Sequence, residues 1–379
     1  MPEQIRPLSQ PSATLRASDL IDTAMSSPAQ PRTTSELPGS TASKLTLPED
    51  FDGTPRVPSG LSPSSLNAYL ACPTRWAYDK VVGLPTVTSL PAMVGTHVHR
   101  VLEGVMGREP ARRTLDAALA IHQDELVRCE GFARGLAPNW EPVLPDEVDA
   151  VALSAALGGY ADDGHTHRFV FDLLTLAPDM SELARRAETG VRAYFTMSKD
   201  PSAVEVVATE ASISSTWTTP SGEVPVRGVI DRVDRHPDGS LICWDYKSGA
   251  SPDPRFDDGA YRRQVLFYAA MSLDHYGELP SIGGLLYLGD QTVKLHRFSL
   301  DEVASFRAYV GTVWADIQER YGDGLDYGRA VGPLCSWCPH VALCAEGTAE
   351  VRRRAANGTG RGGVRADAPA RELLGLPAA

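Results

Sequence analysis

Gly228-Val-Ile-Asp231-Arg-Val-Asp234-Arg-His236-Pro-Asp-Gly-Ser240-Leu-Ile-Cys-Trp244-Asp245-Tyr246-Lys247-Ser-Gly249 is the stretch that decides how this chain folds. His236 to Ser240 is a cluster of turn formers between two apolar runs, so the segment reads as two strands joined by a tight hairpin. Alternation along the second strand puts Asp245 and Lys247 on one face, about 7 Å apart along the strand, with Ile242, Trp244 and Tyr246 on the other. A charged pair on an otherwise apolar strand is costly to bury unless something compensates it. A divalent cation would do so, because Asp231 and Asp245 offer the hard oxygens that Mg²⁺ or Mn²⁺ prefers. Lys247 would then stand beside the metal, placed to orient a water or to stabilise charge on a phosphate. The alternative is a surface ion cluster on a solvent-facing sheet.

Downstream, Gln264 and Tyr268 are four apart on a helix predicted over 261–275 and project together. The order Gly-x-x-Asp, hairpin, Asp-x-Lys, Gln-x-x-x-Tyr resembles the PD-(D/E)xK nuclease superfamily in its RecB-type exonuclease branch. That branch includes nuclease domains of bacterial recombination helicases and the four-cysteine exonucleases of CRISPR adaptation. The resemblance implies an α/β fold, a restriction-endonuclease-like core with a mixed central sheet flanked by helices, plus a helical insertion and a C-terminal cysteine cluster. Gly95-Thr-His-Val-His99 resembles the family's Gly-x-x-x-His motif, which implies that His99 is a metal ligand with Asp231, Asp245 and the backbone carbonyl of Tyr246. Lys247 is the implied catalytic lysine. The family often has an acid on the preceding strand, which here is Glu210, although a solvent-facing glutamate fits that position as well. Gln264 and Tyr268 are the implied substrate contacts, and Arg262 and Arg263 in the same turn are placed to reach phosphates. Glu103, one turn beyond His99, reads as a neighbour of the site or a salt-bridge partner on the helix face.

Cys335-Ser-Trp-Cys338-Pro-His-Val-Ala-Leu-Cys344 is a compact triplet of thiols, one short of the four that a closed site needs. In the iron–sulfur members of the branch the fourth is a Cys-Pro near the start of the domain, matching Cys72-Pro73. The resemblance therefore implies a [4Fe-4S] cluster on Cys72, Cys335, Cys338 and Cys344, with structural Zn²⁺ as the alternative. Cys129 and Cys243 lack partners at ligand spacing and read as ordinary thiols.

The chain has 379 residues and is 42% hydrophobic, enough for a large core; 36 basic against 48 acidic residues give a net charge of −12. This is not the footprint of a nucleic-acid coat protein, but a local basic groove is compatible with it. No run approaches a membrane span, and the start lacks the features of a secretory signal. A cytoplasmic location is expected, where six cysteines are metal ligands or thiols rather than disulfides. No Gly-x-x-x-x-Gly-Lys-[Ser/Thr] motif is present, so the chain is not itself a P-loop motor.

Composition divides the chain into a disordered Pro/Ser/Thr-rich leader (1–55), N-terminal helices with the first cluster cysteine and the histidine motif (56–110), and a helical insertion (111–200). Beyond these, the resemblance implies a nuclease core (201–330) and an iron–sulfur cysteine motif (331–347), and a mobile basic, Gly-rich tail (348–379) follows. The second helix is expected to begin near Gly95, and polar loops are expected at 137–140 and 162–167. The implied activity is metal-dependent DNA hydrolysis, most simply by an exonuclease on single strands or free ends in recombination, repair or phage- and CRISPR-related processing, with a helicase or recombination protein as partner. A DNA-end-binding scaffold with weak nuclease activity, or a structure-specific endonuclease, are the other classes.

Overall fold

The hairpin is the middle of a five-stranded mixed sheet. In the computed structural model, which describes residues 44–48, 51, 53–84, 86, 88–144, 147–157, 164–198, 200–253 and 259–357, the strands are β1 (Glu205–Thr219), β2 (Gly222–Arg235), β3 (Leu241–Lys247), β4 (Ile282–Tyr287) and β5 (Thr292–Arg297). They lie side by side in chain order. Only β3 and β4 run parallel, which requires a crossover between them. Helix α8 (Ala260–Tyr276) supplies it; the other neighbours are antiparallel. β1 and β2 are longer than their apolar patterns suggest and meet in a tight turn between Thr219 and Gly222.

Ten α-helices are found among the described residues. They are α1 (Pro63–Ala71), α2 (Pro73–Ala77), α3 (Leu90–Met106), α4 (Leu115–Leu136), α5 (Ala150–Leu157), α6 (Gly164–Leu176), α7 (Met180–Met197), α8, α9 (Leu300–Gly322) and α10 (Ala345–Ala355). Both faces of β3 are covered, which explains its unbroken apolar run. Ile242, Trp244 and Tyr246 face a cluster formed with α3, α4, α6 and α7, while Leu241 and Cys243 face one formed with α1, α8 and α9. No described helix is long and apolar enough to cross a membrane.

Several expectations are corrected. α3 begins at Leu90, not near Gly95, because the Ser89 hydroxyl caps the Ala92 amide and Pro91 sits in the first turn. Residues 165–167 are helical rather than a polar loop, since α6 starts at Gly164; 162 and 163 lie outside the described residues. The leader boundary at 55 is too late: Leu45 N–H donates to Leu325 O, and the Tyr78 hydroxyl donates to Thr46 O. The tail boundary at 348 falls inside α10, which places Arg352, Arg353 and Arg354 in a helix's last turn. Most of the leader and residues 358–379 lie outside the described residues.

Trp244 pairs in register with Gly284, and a Cβ built on Gly284 would lie 2.2 Å from the indole ring. Gly284→Ala is therefore expected to lower stability by about 1–3 kcal/mol through overpacking. Urea unfolding checks this as a lower midpoint at unchanged slope.

Candidate metal centre

The ladder between β2 and β3 ends at Arg232 and Trp244, so the next peptide, that of Tyr246, faces no backbone partner on β2. Side chains take its place, because a buried peptide group must be paired. The Tyr246 N–H donates to Asp231 Oδ2 at 2.6 Å, and His99 Nε2 donates to the Tyr246 carbonyl at 2.9 Å. His99 Nδ1 lies 3.5 Å from Asp231 Oδ1. His99 arrives from α3, whose neighbouring His97 points elsewhere, buried against His122 at 3.0 Å.

β1 and β2 are also irregular here. Thr209 pairs with Arg232 and Ala211 with Ile230, leaving Glu210 across from Asp231. Glu210 has φ +45°, a left-handed conformation that a glutamate adopts only under constraint. Strict alternation would separate Ile230 from Val233, yet both pack in the α1–α8–α9 cluster. The register shift itself lies just upstream, between Val206 and Ala208, and Glu210 and Asp231 both turn toward His99. These three residues each offer a ligand atom within 4.8 Å of the others, forming a group that could hold a metal ion.

Their electrostatics are those of crowded groups, with Asp231 buried and His99 and Glu210 half-buried. Burial, and next the Asp231 charge, push Glu210 up to about 7. For His99, burial alone would lower the pKa, but Asp231, with help from Asp245 and Glu210, raises it to about 9. Asp245 is also pushed upward by burial and by Asp231, against the opposing pull of Lys247. Asp231 is 6% and Asp245 2% exposed, which excludes the solvent-facing ion cluster.

Asp245 is held from every side. Its Oδ2 lies 2.6 Å from Lys247 Nζ, and its Oδ1 accepts from Gln264 Nε2 at 2.7 Å and from the Tyr268 hydroxyl at 3.2 Å. Gln264 Oε1 accepts from Lys247 Nζ at 3.0 Å. Asp245 thus stands beside the His99–Glu210–Asp231 group, and Glu210, the acid expected on the preceding strand, is one of that group's three members. Gln264 and Tyr268 spend these bonds on Asp245, Lys247 and each other, where substrate contacts were expected. Arg262 pairs with Glu302 and lies 3.1 Å from His296 Nδ1, and Arg263 donates to Asn67 Oδ1 at 2.9 Å, so both are tied to the protein. Glu103 pairs with Arg100 at 2.9 Å.

Arg232 is the residue the sequence reading missed. Fully buried, it donates to the Tyr194 and Tyr246 hydroxyls and pairs with Asp234 at 2.9 Å. This anchors the side chain of the residue whose peptide Asp231 and His99 hold. Arg232 and Asp234, two apart in an apolar strand, were the available signal, since both side chains point to one face.

The four cysteines line a common pocket. Cys72, at the junction of α1 and α2, lines one pocket with Cys335, Cys338 and Cys344. The sulfurs of Cys335 and Cys344 accept the N–H groups of Gly332 and Gly347 at 3.4 and 3.3 Å. Burial pushes Cys338 up to about 11, with Cys72 and Cys335 adding to the rise. Cys129 and Cys243 are buried elsewhere, Cys243 beside the Ser272 hydroxyl at 3.3 Å.

The family model described as PD-(D/E)XK nuclease superfamily matches residues 60–345. No curated protein matches the chain. Among solved structures, the crystal structure of SSO0001 aligns with 44% of this chain and 77% of its own, at 16% identity and a TM-score of 0.25, a likeness too slight to bear on fold or activity. The family match spans the histidine helix, the whole sheet and the cysteine segment, and the chain belongs to the PD-(D/E)XK nuclease superfamily.

Proposed function

We propose that this nuclease is a metal-dependent deoxyribonuclease of the RecB-type branch, acting as an exonuclease on single strands or free DNA ends. The observation that carries the reading is the His99–Glu210–Asp231 group beside the Asp245–Lys247 pair, at the point where β2 and β3 part. His99, Glu210 and Asp231 would hold Mg²⁺ or Mn²⁺, with Asp245 and the Tyr246 carbonyl alongside. Such an ion supplies Lewis acidity toward the phosphate and lowers the pKa of water. Lys247, held by Asp245 and Gln264, presents its ammonium where it can orient a water or meet phosphate charge. Gln264 and Tyr268 act through Asp245 by fixing its carboxylate. Recombination, repair or phage- and CRISPR-related processing, with a helicase partner, would supply such ends.

The site variants test this directly. Lys247→Ala and Asp245→Ala are expected to slow Mn²⁺-dependent degradation of end-labelled single strands by about 10²-fold or more, with closed circular DNA left intact. Full metal-dependent cleavage by either variant would overturn the active site, and nicked circles would replace the exonuclease with an endonuclease. Strand binding by the wild type with no cleavage in either metal would favour a scaffold.

The pH dependence has a definite sign. In the metal-free protein Glu210 rises from 4.5 to about 7 and His99 from 6.5 to about 9, so both hold their protons more tightly when folded. Their contribution to stability is present at low pH and is lost as pH rises through about 7 and then about 9. Metal binding requires both groups deprotonated. The apparent affinity for Mg²⁺ or Mn²⁺ is therefore expected to increase from pH 6 to pH 8.5, and calorimetry in buffers of different ionisation enthalpy should detect released protons. Affinity that falls with pH would remove His99 and Glu210 as ligands.

We further propose that the cysteines hold a [4Fe-4S] cluster. A tetrahedral Zn²⁺ with bonds of about 2.3 Å draws its sulfurs to about 3.8 Å from one another. Cys72, Cys335, Cys338 and Cys344 line one pocket, which offers four thiols to either occupant, and the family resemblance is what favours the cluster. The protein purified without oxygen is expected to be brown, with absorbance near about 400 nm that Cys72→Ser abolishes. Colourless protein containing stoichiometric zinc would reverse the assignment.

A further inference from the structure

Away from the metal centre, a cleft of about 350 Å³ opens between α1, the turn after α2 and β2; Arg56, Lys80, Arg227, Ser59, Ser62 and Asp79 are among its lining residues. The three cations come from separate segments, each fixed by backbone contacts. Leu61 forms a bridge with Val226, donating its N–H to Pro225 O and accepting from the Arg227 N–H, both at 2.9 Å. That zipper places Arg227 beside Ser62, the N-cap of α1. Gly60 permits it, with φ +146° and no room for a Cβ, which would lie 2.6 Å from Pro225 O. Arg56 N–H donates to Val81 O at 2.7 Å, and its guanidinium lies over Gly83, where a Cβ would stand 2.7 Å from Cζ. Lys80 rides on the π-turn Tyr78–Val82 between them.

The charge is unbalanced. Most arginines elsewhere are paired with acids, as Arg100 is with Glu103 and Arg320 with Asp316. Among the described residues that line the cleft the one carboxylate is Asp79, which is engaged by His340 Nε2 at 2.7 Å and lies 4.0 Å from Arg75. Among the described residues the side chains of Arg56, Lys80 and Arg227 have no acidic partner, in a chain whose net charge is −12. A concave site of one sign focuses the field and concentrates anions, and the N-terminus of α1 adds to it.

Arg227 is four residues from Asp231 on the same strand, so their Cα atoms are no more than about 14 Å apart. We propose that Arg56, Lys80 and Arg227 grip the phosphodiester backbone of the DNA strand a few nucleotides from the scissile phosphate. The identity of the strand rests on the nuclease reading; the anion site does not. The grip supplies affinity without base recognition, as phosphate contacts do.

The test is anisotropy of a labelled single strand across a salt series in Ca²⁺, comparing wild type with the triple variant Arg56→Ala, Lys80→Ala, Arg227→Ala. Tenfold or greater loss of affinity at low salt is expected, with a log–log salt slope shallower by about 2, since each single-strand phosphate contact contributes about 0.7. The variant Arg56→Lys, Arg227→Lys should keep most of the affinity, and matching melting curves would exclude misfolding. Mn²⁺-dependent hydrolysis of bis(p-nitrophenyl) phosphate, too small to span both sites, should be unchanged. Unchanged strand affinity and slope would overturn the cleft whether or not the enzyme cuts. If wild type binds strands through the cleft but hydrolyses neither substrate, the nuclease reading fails and the cleft stands.

Discussion

The main chain of Tyr246 is the constraint on which the centre depends. Both polar groups of an extended residue point to the same neighbouring strand, and for Tyr246 that neighbour has turned away. Leaving a buried N–H and C=O unpaired would cost several kcal/mol. Asp231 and His99 fill the gap, so the groups that satisfy the backbone are also two members of the metal-competent group. Arg232 secures the other end by binding the Tyr246 hydroxyl from the helical side of the sheet.

The same parting collects charge that the rest of the fold excludes. Asp231, Asp245 and Glu210 crowd together, and burial first, then the charge of Asp231, raises both Asp245 and Glu210. In the metal-free state the strain is relieved by a proton on His99 and by the Lys247 ammonium. A divalent cation would replace the proton with a stronger charge at the same place. The strained backbone of Glu210 fits that picture: a left-handed glutamate is tolerated where surrounding structure fixes the conformation.

Much of this was legible in the chain. Asp231, Asp245, Lys247 and His99 converge because the turn at 236–240 sets the hairpin register and because Gly-x-x-x-His lies on a long apolar helix. Three features were not legible, each for a physical reason. The far half of β1, from Ser214 to Thr219, is mostly polar in sequence, and Trp217 is its one large buried side chain. That Glu210 faces His99 rather than solvent goes with a positive φ that no residue type announces outside glycine and asparagine. The start of α3 was obscured because Gly95 resembles a boundary, whereas it lies inside the helix facing the Ser248 hydroxyl, 3.2 Å from where a Cβ would stand.

The cysteine pocket and the metal centre are mechanically joined through the segment between them. Cys72 sits at the hinge from α1 to α2; α1 is laid along β2 by the Leu61 bridge, and α2 is tied to the chain beyond α9 by the Thr74 hydroxyl on Tyr327 O. His340, between the second and third cysteines of the triplet, holds Asp79 from the turn that carries Lys80. Whatever occupies the cysteine pocket therefore fixes the attitude of that turn relative to β2, the strand that carries both Arg227 and Asp231. For the proposed phosphate grip such bracing matters, because the grip helps position a scissile bond only if its distance to the metal site does not vary. The cysteines need no part in the chemistry to matter for it: through His340 and Asp79 their segment braces the turn that carries Lys80.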